Sequence, residues 1–174
     1  WLTGPGSPDP DIILVSEADR GCSRTDSRNV MRDYAEALGM VYVFGVEFVE
    51  LPREGGGGGR IEAACEHGNG ILSRYPLGNV ELIRHAENLS WYIPPEEFTG
   101  QGEPRLGGRM AIAADALIGD YILHLYVLHF ESTVDEEMRS AQTAELADHG
   151  LTRPYRVVQG GDSNAGLYFL DLLD

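Results

Sequence analysis

Short apolar runs and alternating positions predict strands along much of the chain. Residues 12–15 are uniformly apolar, which is typical of a strand buried on both faces. Residues 41–49 are rich in Val, Phe and Tyr and predict a second strand. The clearest hairpin joins 109–117 to 121–129. Both faces of 121–129 are largely apolar, so we expect this strand to lie between two packed layers.

Helical spacing is found in two segments. Apolar residues recur three and four positions apart between Asn29 and Leu38, and Gly39 suits the position that follows a helix end. Residues 133–136 match a capping box, which predicts a second helix that ends near Gly150.

Two irregular stretches separate the remaining strands, which we predict at 70–74, 80–85 and 155–159. Residues 53–68 contain five consecutive glycines and are interpreted as a mobile hairpin loop. Residues 87–108 are interpreted as a second mobile or functional loop. Because strands and helices alternate while the long hairpin is antiparallel, a mixed sheet is expected.

The composition is that of an acidic globular protein. The chain has 13 Lys plus Arg against 28 Asp plus Glu, a formal net charge of −15, and residues 1–174 are expected to form one domain. The acidic balance argues against a protein that holds nucleic acid mainly through basic side chains. It is compatible with an enzyme that meets phosphate through a bound hard cation.

Membrane and targeting signals are not evident. No apolar run approaches the roughly 18 residues needed to span a bilayer, and no basic segment precedes an apolar one as in a signal peptide. We therefore expect no membrane span and favour a cytoplasmic location.

The chain has two cysteines, Cys22 and Cys65, which are too few for a disulfide framework. One bridge between them is possible, but two unpaired buried thiols are favoured. Neither cysteine lies in a zinc-binding spacing.

Polar residues follow or close three of the predicted strands. Glu17 follows 12–15, His129 closes 121–129, and Asp162 with Asn164 follows the last strand. Taken singly, Glu17 is more often a turn former or helix cap, His129 is more often a hydrogen-bonded interior residue, and residues 162–164 are as readily a simple turn. Taken together, two carboxylates and an amide offer the oxygen ligands that Mg²⁺ or Mn²⁺ prefers, and the histidine can bind phosphate oxygens.

Four stretches also carry a family resemblance. Residues 10–20, 68–77, 129–132 and 160–165 resemble, in order, successive motifs of the endonuclease/exonuclease/phosphatase (DNase-I-like) superfamily. The resemblance implies an α/β fold in which two mixed β-sheets pack face to face with helices outside, a four-layer sandwich. It also implies an Mg²⁺- or Mn²⁺-dependent hydrolase of phosphate esters.

The resemblance assigns roles to individual residues. Glu17 would be the metal ligand and Asn69 would lie near the substrate phosphate, although a strand-entry turn is an equally good account of Asn69. His129 would contact the scissile phosphate. Asp162 would orient or deprotonate the attacking water, and Asn164 would hold the water and the phosphate in line.

The sequence departs from the family pattern at both ends. No strand ending in asparagine precedes Ile12, and the chain stops at Asp174 before the Asp-His motif with which the family ends. The sequence is therefore interpreted as a fragment that holds most of the fold and an incomplete site. Arg109 resembles a recurrent family arginine. Whether its role is structural, through pairing with an acidic neighbour, is left open.

Alternatives remain at this stage. The same fold could be a non-catalytic binding module that uses its aromatic loop, residues 91–98, or the chain could be an unrelated acidic α/β domain. The substrate is expected to be a small or lipid-like phosphate ester, because the sequence has no cluster of Lys and Arg that could contact a nucleic-acid backbone. Nucleic acid is the alternative substrate. The oligomeric state is left open.

Overall fold

The structure is a computed structural model that describes residues 8–52, 63–89, 105–132, 136–154 and 156–164. Within these ranges the chain forms eight strands and two α-helices. In chain order they are β1 (Ile12–Arg20), α1 (Val30–Leu38), β2 (Val41–Glu50), β3 (Cys65–Ser73), β4 (Leu77–Arg84), β5 (Arg105–Gly107), β6 (Met110–Ile118), β7 (Tyr121–His129), α2 (Glu136–Leu151) and β8 (Arg156–Asp162).

The strands form two four-stranded sheets. The first has the order β1-β3-β2-β5 and is antiparallel at each described pairing. The second has the order β4-β6-β7-β8 and is mixed, because β8 runs parallel to β7 while the other pairs are antiparallel. The mixed arrangement expected for both sheets is therefore found in the second sheet, whereas the first is antiparallel in its described pairings.

The two sheets pack face to face through an apolar core. Ile71 of the first sheet meets side chains of β6 and β7, among them Ile112 and Val127, which are 2 % exposed or less. Burial of this kind contributes about 25 cal/mol per Å² of apolar surface. This inter-sheet core is what fixes the ends of the strands in relation to each other.

A helix covers the outer face of each sheet. Met31 and Ala35 of α1 pack on β1, β2 and β3, and Leu146 of α2 packs on β6 and β7 against Ala113 and Tyr126. The order is thus helix, sheet, sheet, helix. The expected DNase-I-like four-layer sandwich of the α/β class is confirmed.

The first helix is bounded as its sequence predicts. The Asn29 side chain accepts a hydrogen bond from the backbone N–H of Arg32 at 3.0 Å, which satisfies a donor at the helix start. Gly39 ends the helix with φ +64°, a left-handed conformation that glycine adopts without steric cost. The second helix starts at Glu136 in the described part of the chain, so most of its predicted capping box lies outside the described residues.

Two predicted loops contain strand residues. The prediction of a loop over 53–68 is wrong at its end, because 65–68 belong to β3, which is paired on both edges. The prediction for 87–108 is wrong at 105–107, a short edge strand on β2. The remainder of these stretches lies largely outside the described residues, and the aromatic loop at 91–98 lies entirely outside them.

The cysteines are paired, so the expectation of two free thiols is wrong. Cys22 and Cys65 form a disulfide with their Cα atoms 5.0 Å apart. The sheet explains the pairing, since Arg20 lies opposite Glu66 in the β1–β3 register and brings the residues beyond them together. Disulfides persist in oxidising compartments, which runs against the cytoplasmic location; that location stays a prediction.

Neither described helix is long and apolar enough to cross a membrane.

Candidate functional site

Glu17 projects from a bulge inside a strand. Its expected place after a short strand is wrong, because β1 continues to Arg20 and is interrupted by a register shift between Val15 and Ala18. Glu17 has φ +61° there, and its side chain is 59 % exposed. A bulge re-aims a side chain, and here it turns the carboxylate out of the alternating pattern toward solvent.

Asn69 lies in the middle of β3 directly behind Glu17. It is fully buried and pairs in register with Gly45, so the alternative account of Asn69 as a strand-entry turn is wrong. Its Oδ1 accepts a hydrogen bond from the Glu17 N–H at 3.3 Å, and its Nδ2 donates to the Met110 carbonyl at 3.4 Å. Asn69 therefore joins the bulge to the second sheet and fixes the position of Glu17.

His129 ends β7 as predicted and lies in a buried group of charges. Its Nδ1 lies 2.8 Å from Arg109 Nη1 and 3.1 Å from Glu47 Oε2, and its Nε2 lies 3.7 Å from Glu17 Oε1. Arginine can only donate, so the shorter contact makes Nδ1 an acceptor and leaves the proton on Nε2; the Glu47 contact calls for the opposite arrangement. The shorter contact favours an Nε2–H donor that faces Glu17. We call Glu17, Glu47, Arg109 and His129 the cleft cluster.

Arg109 pairs with acidic neighbours, which is the structural role considered for it in the sequence analysis. Its Nη1 donates to Glu47 Oε1 at 2.9 Å, and its Nε lies 3.7 Å from Glu131 Oε2. All three side chains are buried. The Arg109 Nε and Glu131 Oε2 atoms have no hydrogen-bond partner among the described residues. Buried charges in this arrangement depend on each other, since loss of one leaves another unpaired.

Asp162 ends β8 beside His129. The parallel register places the two residues opposite each other. Gly161, with φ +133°, allows this approach, because a Cβ there would lie 2.1 Å from the Leu128 carbonyl oxygen. The strand runs three residues beyond its predicted end at Gln159. Asp162 is thus held by the sheet.

A small hydrogen-bond network fixes Asp162 and Asn164. Asp162 Oδ1 accepts from the Asn164 N–H at 2.8 Å, and Asn164 Nδ2 donates to the Phe130 carbonyl at 2.8 Å. The Ser16 hydroxyl accepts from the Asp162 N–H at 3.3 Å and donates to the Leu128 carbonyl at 3.2 Å. These bonds connect β1 of the first sheet to the end of β8.

The structure therefore brings the five predicted site residues to one end of the sandwich. Contacts link Glu17 to Asn69 and His129, and strand register links His129 to Asp162, which holds Asn164. Their roles in binding or catalysis stay predictions. No cluster of three or more His, Cys, Asp or Glu side chains suited to a metal ion occurs within the described residues.

A cleft of about 400 Å³ opens at this end. Two members of the cleft cluster, Glu17 and Arg109, line it. The other lining residues come from the first sheet and from the turn after β1: Asp19, Arg24, Phe48, Glu50, His67 and Arg105. Asp19 is 5 % exposed and lies 2.7 Å from Arg24 Nη2 and 2.8 Å from His67 Nδ1. Burial raises the pKa of the Asp19 carboxyl, but hydrogen bonds and charges of Arg24 and His67 outweigh it, so the pKa is lowered overall.

Sequence reasoning missed Glu47 and Ser16 as parts of this region. Glu47 is one polar position in an otherwise apolar strand, and Ser16 precedes the predicted site residue. One signal for Glu47 is present in the sequence: it is a carboxylate within an otherwise apolar strand. A buried carboxylate requires a partner, so its position indicates a cation or donor elsewhere in the chain. That partner, Arg109, is 62 residues away in sequence.

Comparison with known proteins supports the fold. An endonuclease/exonuclease/phosphatase from Beutenbergia cavernae matches with a TM-score of 0.56 and 21 % identity, over 89 % of this chain and 39 % of that chain. A D. rerio TDP2 complexed with a single-strand DNA product matches with a TM-score of 0.55 and 15 % identity, over 94 % and 51 %. The human Nocturnin catalytic domain matches with a TM-score of 0.52 and 17 % identity, over 90 % and 52 %.

The chain has the fold of endonuclease/exonuclease/phosphatase proteins. It spans between about two fifths and one half of the length of these solved structures. No family model and no curated protein matches the sequence. The likeness therefore establishes the architecture, and the chemistry depends on the arrangement of the side chains.

Proposed function

We propose that this domain belongs to a divalent-cation-dependent hydrolase of phosphate esters. The observation that supports the proposal is the meeting of Glu17, His129 and Asp162 at one end of the sandwich, although they lie far apart in sequence. A carboxylate that can bind a cation, a histidine donor and a second carboxylate that can accept a proton are groups that can promote phosphate-ester hydrolysis.

The residues present fit a hard cation. Glu17 offers an exposed carboxylate, and His129 Nε2 lies 3.7 Å from its Oε1. Mg²⁺ commonly binds through one or two carboxylates and keeps several waters, so a dense cluster of protein ligands is not required. When bound, the cation would offset the negative charge of the phosphate.

The other side chains would bind the substrate and position water. His129, as an Nε2–H donor, would hydrogen-bond a phosphate oxygen beside Glu17. Asp162 has one oxygen fixed by the Asn164 N–H, and the other, which has no hydrogen-bond partner among the described residues, would accept a proton from water. Asn164 donates through Nδ2 to Phe130, so its Oδ1 could orient the same water. Asn69 would act by holding Glu17.

The substrate class is proposed as a small or lipid-like phosphate ester. The formal charge of −15 disfavours a tight grip on a long polyanion. Nucleic acid is the alternative, since one solved structure of the same fold holds a DNA product.

A substrate panel tests the proposal. Small phosphodiesters, phospholipid headgroup esters and single- and double-stranded DNA would be incubated with the longest native form of the protein, with Mg²⁺ or with a chelator. We expect cation-dependent hydrolysis, and a loss of about 10²-fold or more in Glu17→Gln and in Asp162→Asn. Glu36→Gln, which changes an exposed carboxylate on α1, is the matched control.

Binding of Mg²⁺ supplies a second readout. Addition of Mg²⁺ should raise the melting temperature of the wild type and of Glu36→Gln, but not of Glu17→Gln. Hydrolysis of no substrate, together with a melting temperature indifferent to Mg²⁺ and Mn²⁺, would instead support a non-catalytic binding module.

A further inference from the structure

Three arginines line the cleft, and two of them are paired with carboxylates. Arg24 is held by Asp19 at 2.7 Å, and Arg109 by Glu47 at 2.9 Å. The third, Arg105, pairs with Glu50 through its backbone in the β2–β5 register, but its guanidinium has no hydrogen bond or ion pair with any residue in the described ranges. The chain contains 13 Lys plus Arg in 174 residues, all of them arginine, and three of these line the cleft beside the carboxylates of Glu17, Asp19 and Glu50.

The Arg105 guanidinium is held in place although it lacks an ionic partner. It lies over the Phe48 ring at 3.8 Å from the centroid, within the range of a cation–π contact. Phe48 itself is 1 % exposed and forms the floor beneath the guanidinium. The group is thus positioned before any ligand arrives, which reduces the entropy lost on binding.

The surroundings of Arg105 favour an anion. Burial and the charge of Arg109, whose guanidinium lies 5.1 Å from the centroid of the same ring, act to lower the pKa of Arg105. The carboxylates of Glu131, Glu50 and Glu47 oppose this but do not outweigh it. An anion placed beside Arg105 would relieve both the partial desolvation and the repulsion between the two guanidiniums.

We propose that Arg105 is a specificity-determining residue that binds a second anionic group of the substrate, a phosphate that is not the one hydrolysed. The reacting phosphate would lie at Glu17 and His129, and the second would lie over Phe48 in the same cleft. This inference rests on the proposed function for its substrate, a phosphate ester with a further phosphate group. The anion subsite itself can be measured without turnover.

Binding of inorganic phosphate tests the subsite directly. Titration calorimetry at low ionic strength would compare the wild type with Arg105→Gln and with Arg105→Lys. We expect Arg105→Gln to weaken phosphate about 10-fold or more, as loss of charge-assisted hydrogen bonds predicts, and Arg105→Lys to weaken it less. Arg156→Gln removes the same charge from an exposed position on β8 and should bind phosphate as the wild type does.

A matched pair of substrates separates this inference from the proposed function. Two phosphate esters that differ only by a second phosphate would be hydrolysed by the wild type and by Arg105→Gln. We expect a KM increase of about 10-fold for the bisphosphorylated ester, with kcat and the other ester unchanged.

The outcomes divide clearly. Hydrolysis of both esters with equal phosphate binding by wild type and Arg105→Gln overturns the subsite and leaves the proposed function standing. No hydrolysis of either ester, with phosphate binding still dependent on Arg105, supports the subsite and counts against the proposed function.

Discussion

The strand β7 carries two buried histidines whose surroundings differ in origin. His124 faces the outer helix layer, where its Nδ1 contacts Asp115 of the neighbouring strand, nine residues away in sequence. His129 faces the other side, where Glu47 comes from the opposite sheet, 82 residues away. Both histidines are 1 % exposed or less. The first pair is made within one sheet, whereas the second exists only because two sheets are packed together.

The two histidines also differ in the surroundings of their Nε2 atoms. His124 Nε2 is buried without a hydrogen-bond partner in the described part of the chain, while His129 Nε2 is directed at the exposed Glu17 carboxylate. We call Asn79, Asp115 and His124 the outer cluster. A histidine–carboxylate pair is therefore not in itself a sign of function. The pair of His129 and Glu47 differs from that of His124 and Asp115 because it lies beside a cleft and joins residues of the two sheets.

The largest expected effect follows from breaking the cleft cluster. Arg109→Met should lower the free energy of unfolding by about 3–5 kcal/mol, because Glu47 and Glu131 would remain buried without their shared cation. Urea denaturation measures the change. Adding Glu47→Gln to Arg109→Met should recover part of the loss. A loss below about 1 kcal/mol would mean that the cluster contributes little to stability.

The outer cluster should be less costly to break. Asp115→Ala leaves His124 and Asn79 without their shared acceptor, and we expect a loss of about 1–3 kcal/mol by urea denaturation. Mg²⁺-dependent hydrolysis and phosphate binding should be unchanged, since neither partner lines the cleft. Loss of activity at a temperature where the variant is folded would contradict the separation of the two clusters.

Sequence reasoning succeeded where one element carries its own signal. Asn29 and Gly39 mark the ends of α1, and the apolar pattern of 121–129 gives the bounds of β7. It failed for β5, whose three residues are paired with one strand only, and for the bulge at Glu17, which depends on a single positive φ. Local pattern cannot reveal either feature.

The site was predictable only in part for a related reason. Family-like motifs placed Glu17, His129 and Asp162 in the correct region. The partners of Glu47 are not apparent from the local sequence, because one directly precedes β6 and the other ends β7. The disulfide was missed in the same way. The spacing of Cys22 and Cys65 carries no information until β1 and β3 are known to be neighbours.

Acid should weaken both regions through different carboxylates. Burial raises the pKa of Asp115, but hydrogen bonds from Asn79 and His124 and nearby positive charges outweigh it, so the folded pKa lies below the ordinary value of 3.8; Asp19, at the cleft, is shifted in the same direction. A folded pKa below the unfolded one gives stability that is present above the unfolded value and is lost as the pH falls through the folded value.

Titration of stability tests this pair of carboxylates. Unfolding free energies measured from about pH 6 down to about pH 2 should fall less steeply below the ordinary aspartate pKa in Asp115→Asn and in Asp19→Asn than in the wild type. Asp33→Asn, which removes a carboxylate of a surface ion pair, is the control. If the free energy of unfolding of either test variant falls with pH as steeply as that of the wild type, that aspartate does not contribute to the acid sensitivity.

The smallest effect should come from the hydroxyl that joins the sheets beside the cleft. Ser16 bonds both the Leu128 carbonyl and the Asp162 N–H, so Ser16→Ala should cost about 0.5–1.5 kcal/mol in urea denaturation. Thr143→Ala removes a hydroxyl whose bond stays within α2 and serves as the control. If Ser16 positions Asp162 as well, Ser16→Ala should also lower kcat in the phosphate-ester assay, while Thr143→Ala should not. Equal activity of the two variants would limit Ser16 to a structural role, because the contact would then hold the sheets without fixing the carboxylate.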